Sequence, residues 1–212
     1  YWEMGNSKRT LILIHGAGGS AEFWYYNLPV LARKYRAIAV DMVGSGRSDK
    51  PFACYSLPFQ AQFIRDFMRV MGIESATIVG HSMGGGTALQ LALMEPERVE
   101  KLVLVGSFGV GREVAVSARL ATLPFAVRSL QPSPSVMRPM LRQNVYDVNA
   151  VPEEWIELRY SVFALPGRKE PLIQMARSNL NLRGVKASVY RAIVDNLHRI
   201  QAPTLVVWGK ND

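Results

Sequence analysis

The chain has 212 residues, 49% hydrophobic and 20% charged, a composition typical of a globular protein with one large core. No apolar run approaches the ~20 residues that a membrane-spanning helix requires, so no membrane span is predicted. The single cysteine, Cys54, excludes a disulfide framework within the chain and agrees with a cytoplasmic location. The net charge is +8, but the basic residues are scattered, so we expect a solvated surface and no nucleic-acid partner.

Strands and helices alternate in the first half of the chain. Continuous apolar runs, typical of strands covered on both faces, predict strands at residues 10–14, 37–40, 76–79 and 102–105. The helices predicted between them lie at residues 21–35, 56–71 and 86–94. Ser20 and Ser56 are the predicted N-caps, and Gly72 is a stop signal. This order predicts an α/β fold with a doubly wound, mostly parallel sheet and a ligand site at the carboxyl ends of its strands.

The stretch from residue 107 to residue 199 has a different pattern. It contains no clear strand, and strand character returns only at residues 204–207. Helices are predicted at residues 112–123, 135–145, 153–164, 171–180 and 188–200. We therefore expect a discontinuous core, residues 1–106 and 200–212, with an all-helical cap at 107–199 that forms a lid over the strand ends. The alternative is a separate helical domain with no role at the site.

The predicted cap also carries most of the positive charge. Residues 107–199 hold 11 Arg and 2 Lys against 5 Glu and 2 Asp, which gives +6 of the net charge of +8. Guanidinium groups pair well with carboxylates, so such a lid can hold an anionic small molecule. For most of these arginines, the alternative of a solvated helix face is favoured.

The sequence Gly80-His81-Ser82-Met83-Gly84 lies between a predicted strand and a predicted helix. This is the G-x-S-x-G pattern of a nucleophile elbow in the context that it requires. A serine at the apex of such a turn has a strained backbone, and glycines leave room where the strand and the helix pass closely. The hydroxyl of Ser82 would stand at a helix N-terminus, which favours developing negative charge. The alternative is a glycine-rich turn without chemistry.

Five motifs in fixed order give the chain a family resemblance. They are HGAGG at 15–19, DMVGSGRS at 41–48, GHSMGG at 80–85, PERV at 96–99 and PTLVVWGKND at 203–212. Together they resemble the α/β-hydrolase superfamily over the whole chain except the lid. The resemblance implies a Ser–Asp–His triad in which Ser82 matches the nucleophile and Asp212 matches the acid.

The resemblance also implies an oxyanion hole. The backbone N–H of Met83 matches one donor, and the second donor would be the N–H of Ala17, in the loop after His15 and Gly16. Gly16, Gly80, His81 and Gly84 would support the elbow and this loop. Asp41 resembles a structural turn residue of the family and not its catalytic acid.

The chain departs from the family pattern at the histidine. The resemblance implies a catalytic histidine some tens of residues after the acid, beyond one more strand, whereas the sequence stops at Asp212. His81 should point away from the serine, His15 should shape the oxyanion loop, and His198 precedes the last strand, ~20 Å from the catalytic edge. Residues 1–4 also read as the end of a strand, followed by a hairpin turn at 5–8. We therefore expect an incomplete chain, without the first strand or strands and without the last strand and helix, inactive or nearly so alone.

The resemblance implies a class of reaction. The elbow and residues 102–109 are similar to those of meta-cleavage-product hydrolases, which cleave anionic dienoate acids. This implies a serine hydrolase that acts on an ester or on a C–C bond next to a carbonyl, in a small molecule, with no cofactor and no metal. Ser82 argues against the dehalogenases and epoxide hydrolases of the superfamily, which use aspartate there. The alternatives are a non-catalytic ligand-binding protein, an inactive fragment, and a cofactor-free lyase or acyl transferase.

Overall fold

A computed structural model describes residues 1–129, 133, 135, 138–139, 145–147, 149 and 151–210 of the chain. Its main feature is a six-stranded sheet with the strand order β1-β3-β2-β4-β5-β8. These strands are β1 Trp2–Met4, β2 Thr10–Ile14, β3 Arg36–Val40, β4 Ala76–His81, β5 Val99–Val105 and β8 Thr204–Val207. All neighbouring pairs are parallel except β1 and β3, which are antiparallel. The predicted α/β class with a mostly parallel sheet is confirmed.

Side chains of the central strands alternate between two apolar layers. Ile12 and Ile14 of β2 belong to one buried cluster, whereas Leu11 and Leu13 belong to another. Successive residues of a strand point to opposite faces of a sheet, so the two clusters lie on the two faces. Burial on both faces explains why β2 is a continuous apolar run and not an alternating one.

Three helices cover the sheet before the 107–199 segment begins: α1 Leu28–Leu31, α2 Leu57–Val70 and α3 Met83–Met94. Helix α2 starts as predicted, because the Ser56 side chain accepts a hydrogen bond from the N–H of Phe59. The single helix predicted at residues 21–35 is wrong. A 3₁₀ turn, Ala21–Trp24, and the short helix α1 replace it, because Pro29 lacks an N–H and disfavours a helix that would continue through it.

The 107–199 segment contains five described helices and one small sheet. The helices are α4 Val116–Leu120, α5 Pro124–Arg128, α6 Glu153–Phe163, α7 Lys169–Asn179 and α8 Ala187–Val194. Strands β6 Leu180–Asn181 and β7 Gly184–Val185 form an antiparallel pair, so the prediction that this segment is all helical is wrong in this detail. Two-residue strands are too short for an alternating pattern to reveal. The helix predicted at 135–145 falls mostly outside the described residues.

The first strand is paired differently from the sequence prediction. Strand β1 lies beside β3, with Trp2 opposite Ala39, and not beside β2, which follows it in the chain. The turn predicted at residues 5–8 therefore crosses over β3 and does not close a hairpin. Gly5, at φ +83, permits this path, because a Cβ there would lie 2.2 Å from the Tyr35 carbonyl oxygen. None of the described helices has the length and apolar character needed to cross a membrane.

Candidate active site

Ser82 occupies the junction of β4 and α3 in a conformation that non-glycine residues rarely adopt. Its backbone angles are φ 51° and ψ −119°, and it is the only non-glycine residue with positive φ in the described part of the chain. Hydrogen bonds hold it there: its N–H donates to the Val105 carbonyl at 2.9 Å, and its carbonyl accepts from the N–H groups of Gly85 and Phe108, each at 2.9 Å. The residue as a whole is half-buried.

Glycines surround this turn because no side chain has room there. A Cβ on Gly80 would lie 2.3 Å from the Gly84 carbonyl oxygen, and a Cβ on Gly84 would lie 2.4 Å from the Ile14 carbonyl oxygen. Backbone atoms are therefore in direct contact where strand β4, helix α3 and the end of β2 meet. The consequence is that the first turn of α3 is held directly against the loop that follows β2.

That loop brings a second set of backbone groups to Ser82. A Cβ on Gly16 would lie 3.1 Å from the Ser82 Cβ, so the two backbones are adjacent. Ala17, the next residue, is exposed. Met83 is the first residue of α3, and the first four N–H groups of a helix have no partner within it. The loop after β2 and the start of α3 thus meet at the serine.

His15 is buried inside the same loop and is fixed at both ring nitrogens. Its Nδ1 lies 2.7 Å from the Gly16 carbonyl oxygen, and its Nε2 lies 3.1 Å from the Met42 backbone nitrogen. Donation from Nδ1 and acceptance at Nε2 assign the neutral tautomer. Burial lowers the pKa of His15 to about 4. This histidine holds the loop in place and has no nitrogen free for proton transfer.

Asp41 follows β3 and organises the neighbouring loop. Its Oδ1 accepts from the N–H of Ala21 at 2.6 Å, and its Oδ2 accepts from the N–H of Arg47 at 2.8 Å. Its backbone carbonyl accepts from the Ser48 hydroxyl at 2.6 Å. Both carboxylate oxygens therefore accept hydrogen bonds from backbone N–H groups and hold these loops in place, as expected for a structural role.

The other two histidines lie in different surroundings. The His81 ring stacks on the Phe23 ring with centroids 4.6 Å apart, and a Cβ on Gly16 would meet its Nδ1 at 3.1 Å. His198 is exposed on the 3₁₀ turn Leu197–Arg199, before β8 begins. Because β8 runs parallel to β5, His198 lies toward the sheet edge opposite Ser82.

Asp212 lies outside the described residues, but the strand that leads toward it does not. Val207, at the end of β8, is the Cα partner of Val105, and Val105 is in turn the partner of His81. The N–H of Gly106 also donates to the Val207 carbonyl at 3.0 Å. Strand β8 therefore ends at the same edge of the sheet as Ser82.

An arginine of the 107–199 segment reaches this edge, and the sequence did not single it out. The Arg159 guanidinium of α6 lies 5.5 Å from the Phe23 ring centroid and 5.7 Å from that of Trp155. Burial lowers the pKa of Arg159 to about 10, and the nearby Glu22 carboxylate opposes that shift. Its Nε is buried with no hydrogen-bond partner among the described residues. The only sequence signal was the collective excess of arginine in this segment.

Glu22 is the second residue that sequence reasoning missed. Its side chain is 0% exposed, and Oε1 accepts from the guanidinium of Arg47. Its Oε2 is buried and has no hydrogen-bond partner in the described part of the chain. A buried carboxylate thus lies close enough to Arg159 to act on its charge, and it adjoins Phe23 in sequence.

Comparison with known proteins finds a matching family model and relatives of known sequence. The family model described as alpha/beta hydrolase fold matches residues 9–212. The 2-hydroxymuconate semialdehyde hydrolase of Pseudomonas sp. strain CF600 is 37% identical over 208 residues, 95% of this chain and 70% of that protein. An uncharacterized protein of Mycobacterium tuberculosis strain H37Rv is 40% identical over 129 residues, which cover 61% of this chain but only 38% of that protein's length.

A solved structure agrees with the sequence relatives. The meta-cleavage product hydrolase CumD from Pseudomonas fluorescens IP01, as a mutant complexed with acetates, superimposes with a TM-score of 0.78 at 31% identity. The match covers 99% of this chain and 75% of that chain. The fold and the relatives named as enzymes both point to hydrolases.

Proposed function

The chain belongs to the α/β-hydrolase fold family, and on that basis we propose that its protein is a serine hydrolase of a small, carboxylate-bearing substrate. The bond that it cleaves is an ester bond or a C–C bond next to a carbonyl. One observation carries the proposal: Ser82 is held at φ 51° between β4 and α3. Strained non-glycine backbone at a strand-to-helix turn is the hallmark of a nucleophile elbow.

In this proposal the Ser82 hydroxyl attacks the substrate carbonyl carbon and transfers its proton to the triad histidine that the family pattern implies. The carbonyl oxygen becomes an oxyanion, which the backbone N–H groups of Met83 and Ala17 stabilise. Each such donor contributes about 3 kcal/mol to transition-state stabilisation in related chemistry. The adjacency of Gly16 to Ser82 and the position of Met83 at the start of α3 support this assignment. The N-terminus of α3 adds a favourable field for the developing charge.

The remaining triad members are assigned by the family pattern. We propose Asp212 as the acid, because β8 ends at the edge of the sheet where Ser82 lies. His15 is not the base, since both its ring nitrogens are already bonded. His198 is not the base either, since it precedes β8.

The exclusion of His15 and His198 as the general base favours a second candidate function. If no other histidine serves Ser82, the protein binds its ligand without turnover, as a non-catalytic member of the fold. Loss of a triad member lowers the rate by about 10⁴ to 10⁶, so the two candidates differ by a large and measurable factor.

We propose that residues 107–199 form a cap over the reaction site, with residues 1–106 and 200–212 as the core. The support is the packing of α6 on the 3₁₀ turn Ala21–Trp24, next to His81. Clefts between two structural units are the usual location of small-molecule sites.

Arg159 supports an anionic substrate. Its guanidinium is buried against Phe23 and Trp155, and with a pKa of about 10 it stays charged at neutral pH. A buried cation with an unused donor is stabilised by a carboxylate, which matches the planar guanidinium in geometry and charge. The meta-cleavage product hydrolases, which the sequence resembles, take carboxylate-bearing substrates, and this favours C–C cleavage over a neutral ester.

The decisive experiment replaces the hydroxyl. In the full-length protein, Ser82→Ala should abolish turnover of a carboxylate-bearing p-nitrophenyl ester and labelling by a fluorophosphonate, while leaving the circular dichroism spectrum unchanged. Ser75→Ala is the matched control, because Ser75 is half-buried like Ser82 and its hydroxyl donates to Glu100, away from the site. Unchanged turnover in Ser82→Ala would remove Ser82 from the mechanism. A full-length protein that neither turns over the ester nor reacts with the probe would favour the non-catalytic candidate.

A further inference from the structure

A cleft beside the oxyanion loop contains a second arginine that the proposed reaction does not use. We propose that Arg168 binds a second carboxylate of the substrate in this cleft, so that the substrate is a dicarboxylate. The inference deepens the proposed function and rests on it. Arg159 would hold one carboxylate and Arg168 the other.

The cleft lies between the 107–199 segment and two glycine-rich loops of the sheet edge. On the core side it is lined by backbone of the loops after β2 and β3, and on the other side by α6, α7 and Arg168. The lining residues are Gly18, Gly19, Gly44, Ser45, Gly46, Val162, Arg168, Leu172 and Met175. Polar backbone and apolar side chains share these walls, and one convergent charged group among them is typical of a small-molecule site.

Arg168 directs unused donors into this cleft. One of its Nη1 hydrogens is donated to the Phe163 carbonyl, and its guanidinium lies over the Phe163 ring. A guanidinium has five N–H donors in a planar fork, so this bond leaves most of them available. Its Nη2 lies 3.9 Å from the position that a Gly18 Cβ would take. The backbone bond and the ring hold the fork in place facing Gly18, which lowers the entropy cost of binding an anion.

The charge around Arg168 is unbalanced toward the positive. Its pKa is lowered to about 9, first by burial and then by the positive charge of Arg159. A third cation, Lys50, donates to the carbonyl oxygens of Gly46 and Ser48, and its side chain passes within 3.5 Å of the position of a Gly167 Cβ. Of these three cations Arg168 is the one that lines the cleft, and a partly buried charge near other charges of the same sign is costly without a counter-charge.

Among the described residues, the carboxylates of the neighbourhood have partners other than Arg168. Asp41 accepts from two backbone N–H groups, Glu22 pairs with Arg47, and Glu170 pairs with Arg128. An anionic ligand would supply the counter-charge that Arg168 lacks among the described residues. A carboxylate fits this role because it accepts two parallel N–H···O bonds from one guanidinium.

The cleft is continuous with the proposed reaction site along the chain. Gly18 follows Ala17, the proposed oxyanion donor, and Gly16 lies against Ser82. Leu172, from the first turns of α7, lies 3.7 Å from the position of a Gly18 Cβ, so α7 closes the cleft from above. A substrate whose carbonyl lies at Ser82 can therefore extend over Gly18 and place a terminal carboxylate at Arg168.

The test uses four nitrophenyl esters that differ only in carboxylates: none, one on the acyl side, one on the leaving group, and both. Dissociation constants are measured by calorimetry in full-length Ser82→Ala protein, and turnover is measured in the wild type. We expect the dicarboxylate to bind about 10-fold or more tighter than either monocarboxylate. Arg168→Gln should remove that advantage, Arg168→Lys should keep part of it, and Arg183→Gln, which removes an exposed cap charge, should keep all of it.

Other outcomes would overturn the inference. If Arg168→Gln binds the dicarboxylate as tightly as its parent, or weakens all four esters equally, Arg168 does not bind a carboxylate of the substrate. Failure of the proposed function gives a different result: the wild type turns over no ester, yet the dicarboxylate advantage persists in the Ser82→Ala protein and depends on Arg168. Arg168→Lys keeps the test valid if Arg168→Gln unfolds.

Discussion

The Nε2 of His15 accepts a hydrogen bond from the backbone N–H of Met42 at 3.1 Å, which joins the loop after β2 to the loop after β3. Since Nδ1 of the same ring is bonded to the Gly16 carbonyl, the imidazole fixes the backbone just before Ala17. Because Gly16 lies against Ser82, His15 stabilises the loop that carries the proposed oxyanion donor, and its neutral form is the one that does so.

This relationship predicts a pH dependence of stability. Burial lowers the pKa of His15 to about 4 in the folded protein, against 6.5 as its ordinary value. Between these values the unfolded chain binds a proton that the folded chain does not, so the free energy of unfolding falls as the pH is lowered from 6.5 toward 4. Between pH 7 and pH 5 the loss from this group should be about 2 kcal/mol.

Urea titrations of the wild type and His15→Gln at pH 7, 6 and 5 measure this effect. The wild type should lose about 2 kcal/mol more stability over that range than His15→Gln, which lacks the titrating ring. His198→Gln, which removes an exposed imidazole, is the control and should have the wild-type free energy of unfolding at pH 7. Parallel pH profiles for the wild type and His15→Gln would show that His15 does not titrate as assigned.

The close approach of α3 and β2 predicts that Gly84 cannot be replaced. In Gly84→Ala the new Cβ would lie 2.4 Å from the Ile14 carbonyl oxygen and 2.6 Å from that of His15. Two backbone segments would have to move apart, so we expect a loss of about 3 kcal/mol in the free energy of unfolding. Gly111→Ala is the control, because its Cβ would meet nothing within 4 Å. Equal denaturation midpoints for the two variants would contradict this packing.

The sequence predicted those parts of the fold that depend on local patterns. The apolar run at residues 10–14 coincides with β2, and the helix predicted at 56–71 is α2, because burial on both faces and a serine N-cap leave direct signals. The G-x-S-x-G motif predicted the junction at Ser82 because few residues tolerate that turn. Pro29, which interrupts the helix predicted at 21–35, was a signal that was present but not used.

Long-range packing left no such signal. The placement of β1 beside β3 depends on a crossover, and not on any pattern in residues 1–4. Glu22 and Arg159 are far apart in the sequence, and their proximity follows only from the packing of α6 on the 3₁₀ turn Ala21–Trp24. Neither residue differs in type or spacing from a charged residue on a solvated face, so the candidate site was only partly predictable.

Asn179, at the end of α7, is predicted to tie the 107–199 segment to the core. Its Nδ2 donates to the carbonyl oxygens of Tyr55 and Met175 at 2.9 and 2.8 Å, and its Oδ1 accepts from the N–H of Leu57 at 3.3 Å. Asn179→Ala would leave these buried groups unpaired, at a cost of about 2 to 3 kcal/mol measured by urea denaturation. Asn181→Ala, at an exposed position, is the control. If the free energy of unfolding falls by less than about 0.5 kcal/mol, as for ordinary surface substitutions, Asn179 does not hold the segment to the core.

Arg159 gives the prediction that bears most directly on substrate class. In full-length Arg159→Gln the guanidinium over Phe23 is lost, and with it the proposed partner of a substrate carboxylate. The KM for carboxylate-bearing nitrophenyl esters should rise about 10- to 100-fold, as for loss of a charge-assisted hydrogen bond, while the KM for the neutral ester stays within about twofold. Arg183→Gln, which removes an exposed charge of the same segment, should change neither value. An equal rise for charged and neutral esters would show that Arg159 acts through packing, and the anionic substrate would then lose its main support.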